Sequence, residues 1–528
     1  MMMVMAFAAT AQTKTFKLGQ AAEIHIAILQ ELSRSYVDSL PVQRMSEAGI
    51  AAMLGTLDPY TIYVPEEENE DFEMMIGKTY GGIGAIIYKP EKEGPVIINE
   101  PYADSPAARN GLQCGDQILF IDGVTTSGLT ASECSDRMKG TPGTTVTFNV
   151  RKVRSGEIRD IVITLEKIHL PDIEYADMLS DGSTGYISIT GFTEGLGNDF
   201  RARVRELRQK GMTKLVVNLR GNGGGLLSEA VNIVSAFVPK GSLVVSSKGN
   251  DLLGVQEFRT TDDPVDLGLP VVVLVDSGSA SASEIVAGAL QDLDRATIMG
   301  TRTFGKGLVQ SIRPLPYNGQ LKVTSAKYYT PSGRCVQAID YSRRNEDGSV
   351  GHIPDSLTHE FKTARGRTVR DGGGITPDVI IKSKEYSRLV YSLVLNGVVE
   401  QYAMEFVKTH ESIPAARDFR FSDFDSFVEF AKGKEFDYRS SARTYFDQMR
   451  KELEKDQLAD SMKDELSALE KALEMDKESF LRLKKDEIIP FIEEEIATRY
   501  HYQTGGVEVR IRYDDELHTA LESPLVSY

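Results

Sequence analysis

Cysteine is scarce in this chain, and its spacing argues against two common structural devices. The 528 residues include three cysteines, Cys114, Cys134 and Cys335. They form no Cys-x-x-Cys pair, so the sequence predicts neither a disulfide scaffold nor a metal site. One pair of these thiols could bridge in an oxidising compartment, and the sequence does not decide this point.

Positive charge and long apolar runs are also in short supply. The chain carries 60 basic and 77 acidic side chains, for a net charge of −17. Non-specific binding to nucleic acid requires a basic surface, so we do not expect a nucleic-acid partner. No later run in the chain approaches the roughly 20 apolar residues of a membrane-spanning helix, so we expect no transmembrane segment.

The amino terminus predicts export. Residues 1–12 are apolar, and residues 9–11 are Ala-Thr-Ala, which resembles a signal-peptide cleavage site. Because a basic n-region is missing, we interpret residues 1–19 as the remnant of an export signal, cleaved after Ala11, and a short leader. Export without an anchor predicts a location in the periplasm or cell envelope. An unstructured apolar leader is the alternative.

The strongest local pattern is residues 278–285, which are Gly-Ser-Ala-Ser-Ala-Ser-Glu-Ile. The apolar run at 271–275 predicts a buried strand, and the Val-Ala-Gly-Ala-Leu that follows predicts a closely packed helix. A strand-to-helix turn of small residues presents a hydroxyl at a helix N-terminus, where free N–H groups favour negative charge. Acyl transfer by a serine needs this arrangement. An N-cap with spare serines is the alternative.

Histidine, a common base for such a serine, is missing nearby. None of the seven histidines lies between the predicted nucleophile strand and position 351. Residues 303–310 are Thr-Phe-Gly-Lys-Gly-Leu-Val-Gln, which places Lys306 between two glycines. Desolvation in an apolar setting lowers the pKa of a lysine, which can then accept a proton. A solvated lysine in a turn is the alternative.

Together these two segments resemble the C-terminal processing peptidases of the S41 type, also called tail-specific proteases. These are serine endopeptidases with a Ser–Lys catalytic pair. The resemblance implies that Ser281 is the nucleophile and that Lys306 is the general base. It also implies that Gln310 orients the lysine and that Asp292 is an acidic residue of the site. It covers roughly residues 20–385 and implies neither a metal nor an organic cofactor.

Residues 78–168 form a separate unit that resembles a protease-associated PDZ domain. Residues 80–85 are Tyr-Gly-Gly-Ile-Gly-Ala, and residues 115–123 are Gly-Asp-Gln-Ile-Leu-Phe-Ile-Asp-Gly. Glycines before a strand let backbone N–H groups converge on a carboxylate, and the strand edge can then pair with an extended peptide. We expect Gly82, Ile83 and Gly84 to hold a substrate's terminal carboxylate, and Met138 to line the side-chain pocket. The expected partners are proteins or peptides with exposed C-terminal tails.

Residues 172–385 alternate between predicted strands and helices. Strands are expected at 184–189 and 214–220, and a helix at 199–210. The glycine-rich segment 221–225 resembles the family turn whose backbone N–H helps to form the oxyanion hole. The resemblance assigns one donor to Gly223 or Gly224 and the second to the Ala282 N–H. It implies a crotonase-like α/β serine peptidase core with an inserted PDZ domain, and so a multidomain α+β chain.

The two ends of the chain are assigned by periodicity and composition. Residues 20–77 place apolar side chains at helical spacing and predict an N-terminal helical segment. Residues 386–528 predict a mainly helical C-terminal extension, with a late strand at 505–513 where apolar and polar residues alternate. The family motifs do not cover this extension. The sequence leaves open the role of this extension and the oligomeric state of the chain. A dimerisation arm is one alternative for the extension.

Two glycine-rich segments partly match nucleotide-binding motifs. Residues 300–306 fit the first seven positions of a P-loop, but Gly307 stands where Ser or Thr binds magnesium, and no clear helix follows. Residues 221–225 follow a predicted strand as a dinucleotide loop does, but Leu226 occupies the third glycine position. These departures argue against a nucleotide-binding enzyme.

The sequence therefore predicts a serine endopeptidase that recognises substrate tails through a PDZ domain and forms an acyl-enzyme at Ser281. Because only a neutral lysine accepts a proton, activity should fall in acid. A catalytically silent PDZ scaffold of the cell envelope is the alternative, and it predicts tail binding without cleavage. The sequence does not determine the physiological substrate, the cleavage-site preference, or whether the PDZ domain gates the site or only delivers substrate.

Overall fold

The computed structural model describes residues 2–250, 254–345, 349–474 and 476–524, which divide into two compact units. The first unit comprises the chain up to Glu67 together with Gln310–Thr324, and the second comprises Glu68–Val309 and Ser325–Tyr528. The first unit begins with α1 (Met2–Ser35), α2 (Val42–Gly55) and β1 (Ile62–Val64). Neither α1 nor any other described helix is long and apolar enough to cross a membrane. The predicted helical segment is confirmed, while cleavage after Ala11 stays a prediction.

An antiparallel sheet of six strands forms the first part of the second unit. Its region contains α3 (Asn69–Gly77), β2 (Thr79–Gly82), β3 (Ala85–Tyr88), β4 (Val96–Pro101), α4 (Pro106–Arg109), β5 (Gln117–Ile121), β6 (Val124–Thr125), α5 (Ala131–Arg137), β7 (Thr145–Arg151), β8 (Ile158–Thr164) and β9 (Glu166–His169). Strands β3, β4, β5, β7 and β8 are neighbours in that order, with β6 beside β5, and β2 pairs with β9. Strand β3 therefore lies at the edge of its sheet.

A second sheet of six strands, most of them parallel, carries the core. This region contains β10 (Ile173–Met178), β11 (Thr184–Ile189), α6 (Leu196–Gln209), β12 (Lys214–Asn218), α7 (Leu227–Ser235), β13 (Leu243–Gly249), β14 (Val255–Arg259), β15 (Val271–Val275), α8 (Ala282–Asp292), β16 (Thr297–Gly300), β17 (Leu308–Pro314), β18 (Gln320–Tyr329), β19 (Ile339–Arg344), β20 (Val350–His352), β21 (Glu360–Lys362), β22 (Thr368–Arg370) and β23 (Val379–Ile380). The strand order is β10, β11, β12, β15, β16 and β23. Only the β10–β11 pair of this sheet is antiparallel. The strands predicted in this region are confirmed as β11, β12 and β15.

Strand β18 contributes to both units. In the first unit, its residues 320–322 pair with β1 in antiparallel register. In the second unit, its residues 326–329 pair with β13, also in antiparallel register.

Both faces of the parallel sheet are buried, which explains the continuous apolar run of β15. Val273 packs on one face among residues of α6, α7 and α8. Its neighbours Val272 and Leu274 point to the other face and pack with Val507 and Leu517 from the carboxyl-terminal region. Parallel strands that are covered on both faces lose the polar alternation of half-exposed strands.

The carboxyl-terminal region is helical, as its composition predicts. It contains α9 (Arg388–Leu395), α10 (Val398–Thr409), α11 (Phe424–Lys432), α12 (Ser441–Lys455), α13 (Lys463–Leu473), α14 (Lys477–Leu483), α15 (Lys485–Arg512) and α16 (Asp515–Glu522). Its core is aromatic: the Tyr402 ring lies between 5.2 and 5.7 Å from the rings of Phe421, Phe427 and Phe430. The prediction of a multidomain α+β chain is confirmed.

The late strand predicted at 505–513 is wrong, because these residues belong to α15, apart from Tyr513 at its C-cap. The alternating valines of this segment meet two different surfaces: Val507 packs on the core sheet, and Val509 packs with Ala497. The helix reaches these surfaces through a kink at Tyr502, where φ is 60°. Packing on two sides of one helix thus mimics the two-residue period of a strand.

Helix α15 also contacts the PDZ-like domain close to its kink. Arg499 Nη2 donates to Asn99 Oδ1 at 2.8 Å, and Gln503 Nε2 donates to the carboxylate of Glu100. Glu100 is 3% exposed, and burial raises the pKa of its carboxyl to about 7. An acid with a raised pKa binds its proton more tightly in the folded chain than in the unfolded chain.

We expect the contribution of Glu100 to folding stability to fall as pH rises. Below the ordinary glutamate pKa of 4.5, Glu100 is protonated in both states, and its contribution to stability is complete. Between pH 4.5 and about 7 the unfolded chain ionises first, so this contribution is lost. Scanning calorimetry should show that the melting temperature of the Glu100→Gln variant, relative to that of the wild type, rises as pH increases from 4.5 to about 7. The exposed Glu91→Gln should show no such trend, and a constant difference for Glu100→Gln would contradict the prediction.

Candidate active site

Three loops meet at the carboxyl ends of the parallel strands. The first connects β15 to α8 and carries the three serines, the second follows β12 and is rich in glycine, and the third follows β16 and contains Lys306. Strands β12, β15 and β16 are adjacent in the sheet. Ligand sites in open α/β sheets lie at this edge. The fold therefore gathers the segments that carry the predicted nucleophile, oxyanion donors and base.

The structure distinguishes Ser281 from the two serines that flank it. The Ser279 and Ser283 side chains are fully buried. Their hydroxyls donate to the carbonyl oxygens of Leu219 at 2.7 Å and Asn222 at 2.9 Å. Both serines thus fasten the first loop to the glycine-rich loop. Ser281 is partly exposed and occupies the N-cap position of α8.

The backbone of Ser281 is strained and is held in place by buried groups. Its φ and ψ are 55° and −112°, a combination that residues other than glycine rarely adopt. Its N–H donates to Glu284 Oε2 at 3.0 Å, and its carbonyl accepts from the Tyr328 hydroxyl at 3.2 Å. Tyr328 is 1% exposed. Strained residues that are held by their surroundings cluster at functional sites.

The two candidate oxyanion glycines have different surroundings. Gly224 has φ 97°, and a Cβ added there would lie 2.8 Å from both the Ser281 Cβ and the Ala282 nitrogen. A Cβ added to Gly223 would meet nothing within 4 Å. The Gly224 N–H donates to Asn222 Oδ1 at 2.9 Å. Gly224 therefore packs directly against the turn at Ser281, whereas Gly223 faces open space.

The loop that carries Lys306 is packed on its neighbours through backbone contacts. The Phe304 N–H donates to the Ser279 carbonyl at 3.0 Å, which joins this loop to the first loop, between β15 and α8. The Gly307 N–H donates to Gln337 Oε1 at 2.8 Å. Gly305 has φ 86°, and a Cβ added there would lie 2.3 Å from the Ala338 Cβ. Lys306 itself is partly buried.

One buried carboxylate, that of Glu284, joins the first loop, between β15 and α8, to the third loop, which contains Lys306. Oε2 accepts from Ser281 N at 3.0 Å and from Lys306 N at 2.8 Å. Oε1 accepts from Gly305 N at 2.7 Å and from Thr303 Oγ1 at 2.6 Å. Glu284 is fully buried, and this burial raises the pKa of its carboxyl while the donated hydrogen bonds oppose the rise.

No sequence motif assigns Glu284 a role of its own. The available signal was a single acidic residue within a helix start made of small and apolar residues. A glutamate three positions after a serine also matches a helix capping box, and this local explanation hides its long-range partners.

The structure does not bring Asp292 close to Ser281, the predicted nucleophile. It is the last residue of α8, and eleven residues of helix span about 16 Å along the axis. Its carboxylate pairs with Arg334 Nη2 at 2.8 Å, with both side chains at most 1% exposed. It also accepts from the Thr330 hydroxyl and from Ser332 N. These contacts fit a structural ion pair below the site.

Gln310 belongs to the first unit, where it lies in β17. Its Nε2 donates to Thr324 Oγ1 at 3.3 Å. Its predicted role in orienting Lys306 stays a prediction.

The predicted carboxylate-binding loop lies between β2 and β3. Gly84 has φ 72°, and a Cβ added there would lie 2.6 Å from the Ser105 Cβ. The Ile83 carbonyl accepts from Ala107 N at 2.8 Å, and the Ile83 side chain is buried. Gly82 lies beside the end of α5, where Met138 is the buried C-cap residue. The structure thus places the four predicted tail-binding residues within one domain, near the edge strand β3.

Family models match three segments of the chain. Residues 73–151 match the PDZ domain, residues 183–342 match peptidase family S41, and residues 389–523 match a model described as probable PDZ-protease, C-terminal helical domain.

Two of the curated relatives each match more than half of the chain. A carboxy-terminal-processing protease of Bartonella bacilliformis is 38% identical over 316 residues, which cover 59% of this chain and 71% of the relative. A probable CtpA-like serine protease of Staphylococcus aureus is 34% identical over 309 residues, which cover 58% of this chain and 60% of that protein. Among solved structures, the photosystem II D1 C-terminal processing protease is 25% identical, with a TM-score of 0.37, and the match covers 66% of this chain and 84% of that one.

We expect Gly224→Ala to be far more damaging than Gly223→Ala. The new methyl group at 224 would collide with Ser281 and Ala282 and would require a left-handed backbone, whereas the methyl group at 223 would enter open space. The collision would displace Ser281 and the Ala282 N–H, and misplacement of one oxyanion donor alone costs up to about 100-fold to 1,000-fold in kcat. We expect a loss of this order for Gly224→Ala when hydrolysis of an unstructured polypeptide is measured. Equal losses in the two variants, with circular dichroism unchanged, would contradict the placement of Gly224.

We expect Glu284→Gln to disable the site by separating the two loops. A glutamine offers one acceptor oxygen to four donors, and its amide group would face N–H groups. Each buried donor left unpaired costs about 1–3 kcal/mol. We expect lower activity together with a lower melting temperature.

The matched control for this variant is Glu229→Gln. Glu229 is also a buried glutamate, and it accepts from Gly197 N at 2.8 Å, which a glutamine oxygen can still do. It should stay close to the wild type in activity. Equal activities of the two variants would argue against the coupling role of Glu284.

Proposed function

Because the chain belongs to the C-terminal processing peptidases, we propose that it cleaves peptide bonds through a Ser281–Lys306 pair. The observation that carries this proposal is the carboxylate of Glu284, which accepts the backbone N–H of both residues. A nucleophile and a base that come from distant parts of a chain need such a common support to keep their relative position.

In the proposed reaction, neutral Lys306 accepts the hydroxyl proton of Ser281 as the oxygen attacks the scissile carbonyl. Negative charge develops on the carbonyl oxygen. The Ala282 N–H at the start of α8 and a backbone N–H of the glycine-rich loop, from Gly223 or Gly224, stabilise this charge. Lys306 then gives the proton to the leaving amine, and the C–N bond breaks to leave an ester at Ser281. Water hydrolyses this ester and restores the serine.

We propose that substrates are recognised by their C-terminal tails. The edge strand β3 can accept an extended peptide by strand addition, and the loop at Gly82, Ile83 and Gly84 is suited to a terminal carboxylate. Met138 supports this assignment because it is buried at the end of α5, beside the same loop. The partners would be proteins or peptides with exposed tails. An envelope location, expected from residues 1–19, is part of this proposal.

The test compares the wild type with Ser281→Ala and Lys306→Ala on an unstructured polypeptide with an apolar C-terminus. Fragments are identified by mass spectrometry, without added metal or ATP. We expect cleavage by the wild type, and a loss of at least about a thousandfold in each variant. Cleavage that survives both substitutions would place the chemistry elsewhere.

A matched substrate tests tail recognition. The same polypeptide with a C-terminal amide lacks the carboxylate, so its KM should rise while its cleavage sites stay the same. An unchanged KM would argue against recognition by the PDZ loop. Tail binding without cleavage by any of the three proteins would favour a catalytically silent scaffold.

A further inference from the structure

A largely buried cluster of charges lies directly behind the glycine-rich loop. Arg220 follows β12 and precedes the first glycine of that loop. Its guanidinium makes a two-pronged contact with Asp514: Nη1 donates to Oδ1 at 3.0 Å, and Nη2 donates to Oδ2. Nη1 also donates to Glu516 Oε2 at 3.1 Å. The three side chains are only 17%, 11% and 15% exposed.

Both acids come from the helical carboxyl-terminal region, almost 300 residues away in sequence. Asp514 is also the N-cap of α16, where its Oδ1 accepts from Leu517 N at 2.9 Å. Leu517 is buried against the core sheet. The position of the last helix is therefore tied to the position of Arg220.

From Arg220 a short series of contacts leads to the nucleophile. Arg220 Nε donates to Asn218 Oδ1 at 2.8 Å, which fixes the end of β12. Two residues after the arginine, the Asn222 carbonyl accepts from Ala280 N at 3.0 Å and from Ser283 Oγ at 2.9 Å. Gly224 then packs against Ser281. Displacement of Arg220 would therefore shift the glycine-rich loop and, with it, the proposed oxyanion donors.

The two carboxylates hold this arginine in a defined direction as well as neutralising it. A bidentate pair fixes the plane of the guanidinium, which a single contact does not. Removal of one partner from a largely buried pair leaves a charge that seeks new contacts. Nearby carboxylates also outweigh burial and raise the pKa of Arg220, which therefore stays charged.

We propose that the helical carboxyl-terminal region is a working part of the peptidase. In this proposal, Asp514 and Glu516 are positioning residues that act through Arg220 to hold the glycine-rich loop against Ser281. The inference rests on the proposed function. It assigns a role to a region that the Ser–Lys mechanism does not use.

The test compares Asp514→Asn with its neighbour Asp515→Asn in the full chain. Asparagine is as good an N-cap as aspartate, so the first change removes the charge and keeps the start of α16. Asp515 is a matched control, because its carboxylate pairs with Lys384 at 2.8 Å and both side chains are more exposed. The assay is hydrolysis of the unstructured polypeptide.

We expect Asp514→Asn to lower kcat at least about tenfold, with KM within about twofold of the wild-type value, because only the transition state uses the oxyanion donors. Affinity for a peptide aldehyde, which forms a tetrahedral adduct with the serine, should fall by a similar factor. Asp515→Asn should match the wild type in all three measurements. Glu516→Gln should lower kcat less than Asp514→Asn does. Asp514→Glu, which keeps the negative charge, should have a kcat between those of Asp514→Asn and the wild type.

Three results would overturn the inference. The first is equal kcat in Asp514→Asn and Asp515→Asn. The second is a loss that tracks a rise in KM or a fall in the folded fraction, measured by circular dichroism on the same samples. The third applies if Asp514→Asn does not fold: the test then uses Glu516→Gln, and a wild-type kcat in Glu516→Gln would overturn the inference. A wild type without Ser281-dependent cleavage would instead overturn the proposed function itself.

Discussion

A single buried carboxylate is the constraint on which the rest of the site depends. Glu284 receives four hydrogen bonds, two from the backbone N–H groups of Ser281 and Lys306, and it has no exposed surface. A carboxylate in such a position is costly to bury and is tolerated only when its oxygens are fully hydrogen-bonded. Glu284 therefore ties the positions of the two loops to each other, and with them the positions of Ser281 and Lys306.

The parallel sheet explains why these loops meet at all. Parallel strands point in one direction, so β12, β15 and β16 end at the same edge and deliver their loops to one place. The strained backbone of Ser281 is tolerated there because the Tyr328 hydroxyl and the packed start of α8 hold it in place. In this chain, backbone hydrogen bonds between the loops therefore hold Ser281 and Lys306 in place.

The outer regions of the second unit are linked to this centre by polar contacts. Helix α15 joins the PDZ-like domain through Arg499 and Gln503, and the start of α16 reaches Arg220 behind the glycine-rich loop. One helical region therefore contacts both the domain proposed to bind the substrate tail and the loop proposed to stabilise the transition state.

The sequence by itself determined the elements that depend on local signals. Local signals were sufficient to predict β15 from its apolar run, the start of α8 from the small residues before it, and the helical region from the composition of residues 386–528. The glycines around Lys306 were likewise sufficient to mark its loop. The sequence determined the family for the same reason, because the motifs are contiguous. Only the tertiary structure decided which of three similar serines is partly exposed, that Asp292 pairs with Arg334 far from Ser281, and that residues 505–512 are helical. It also revealed Glu284 and Arg220 as links between distant segments. Those properties depend on partners separated by twenty to three hundred residues, and no local pattern encodes a contact whose partner is chosen by packing.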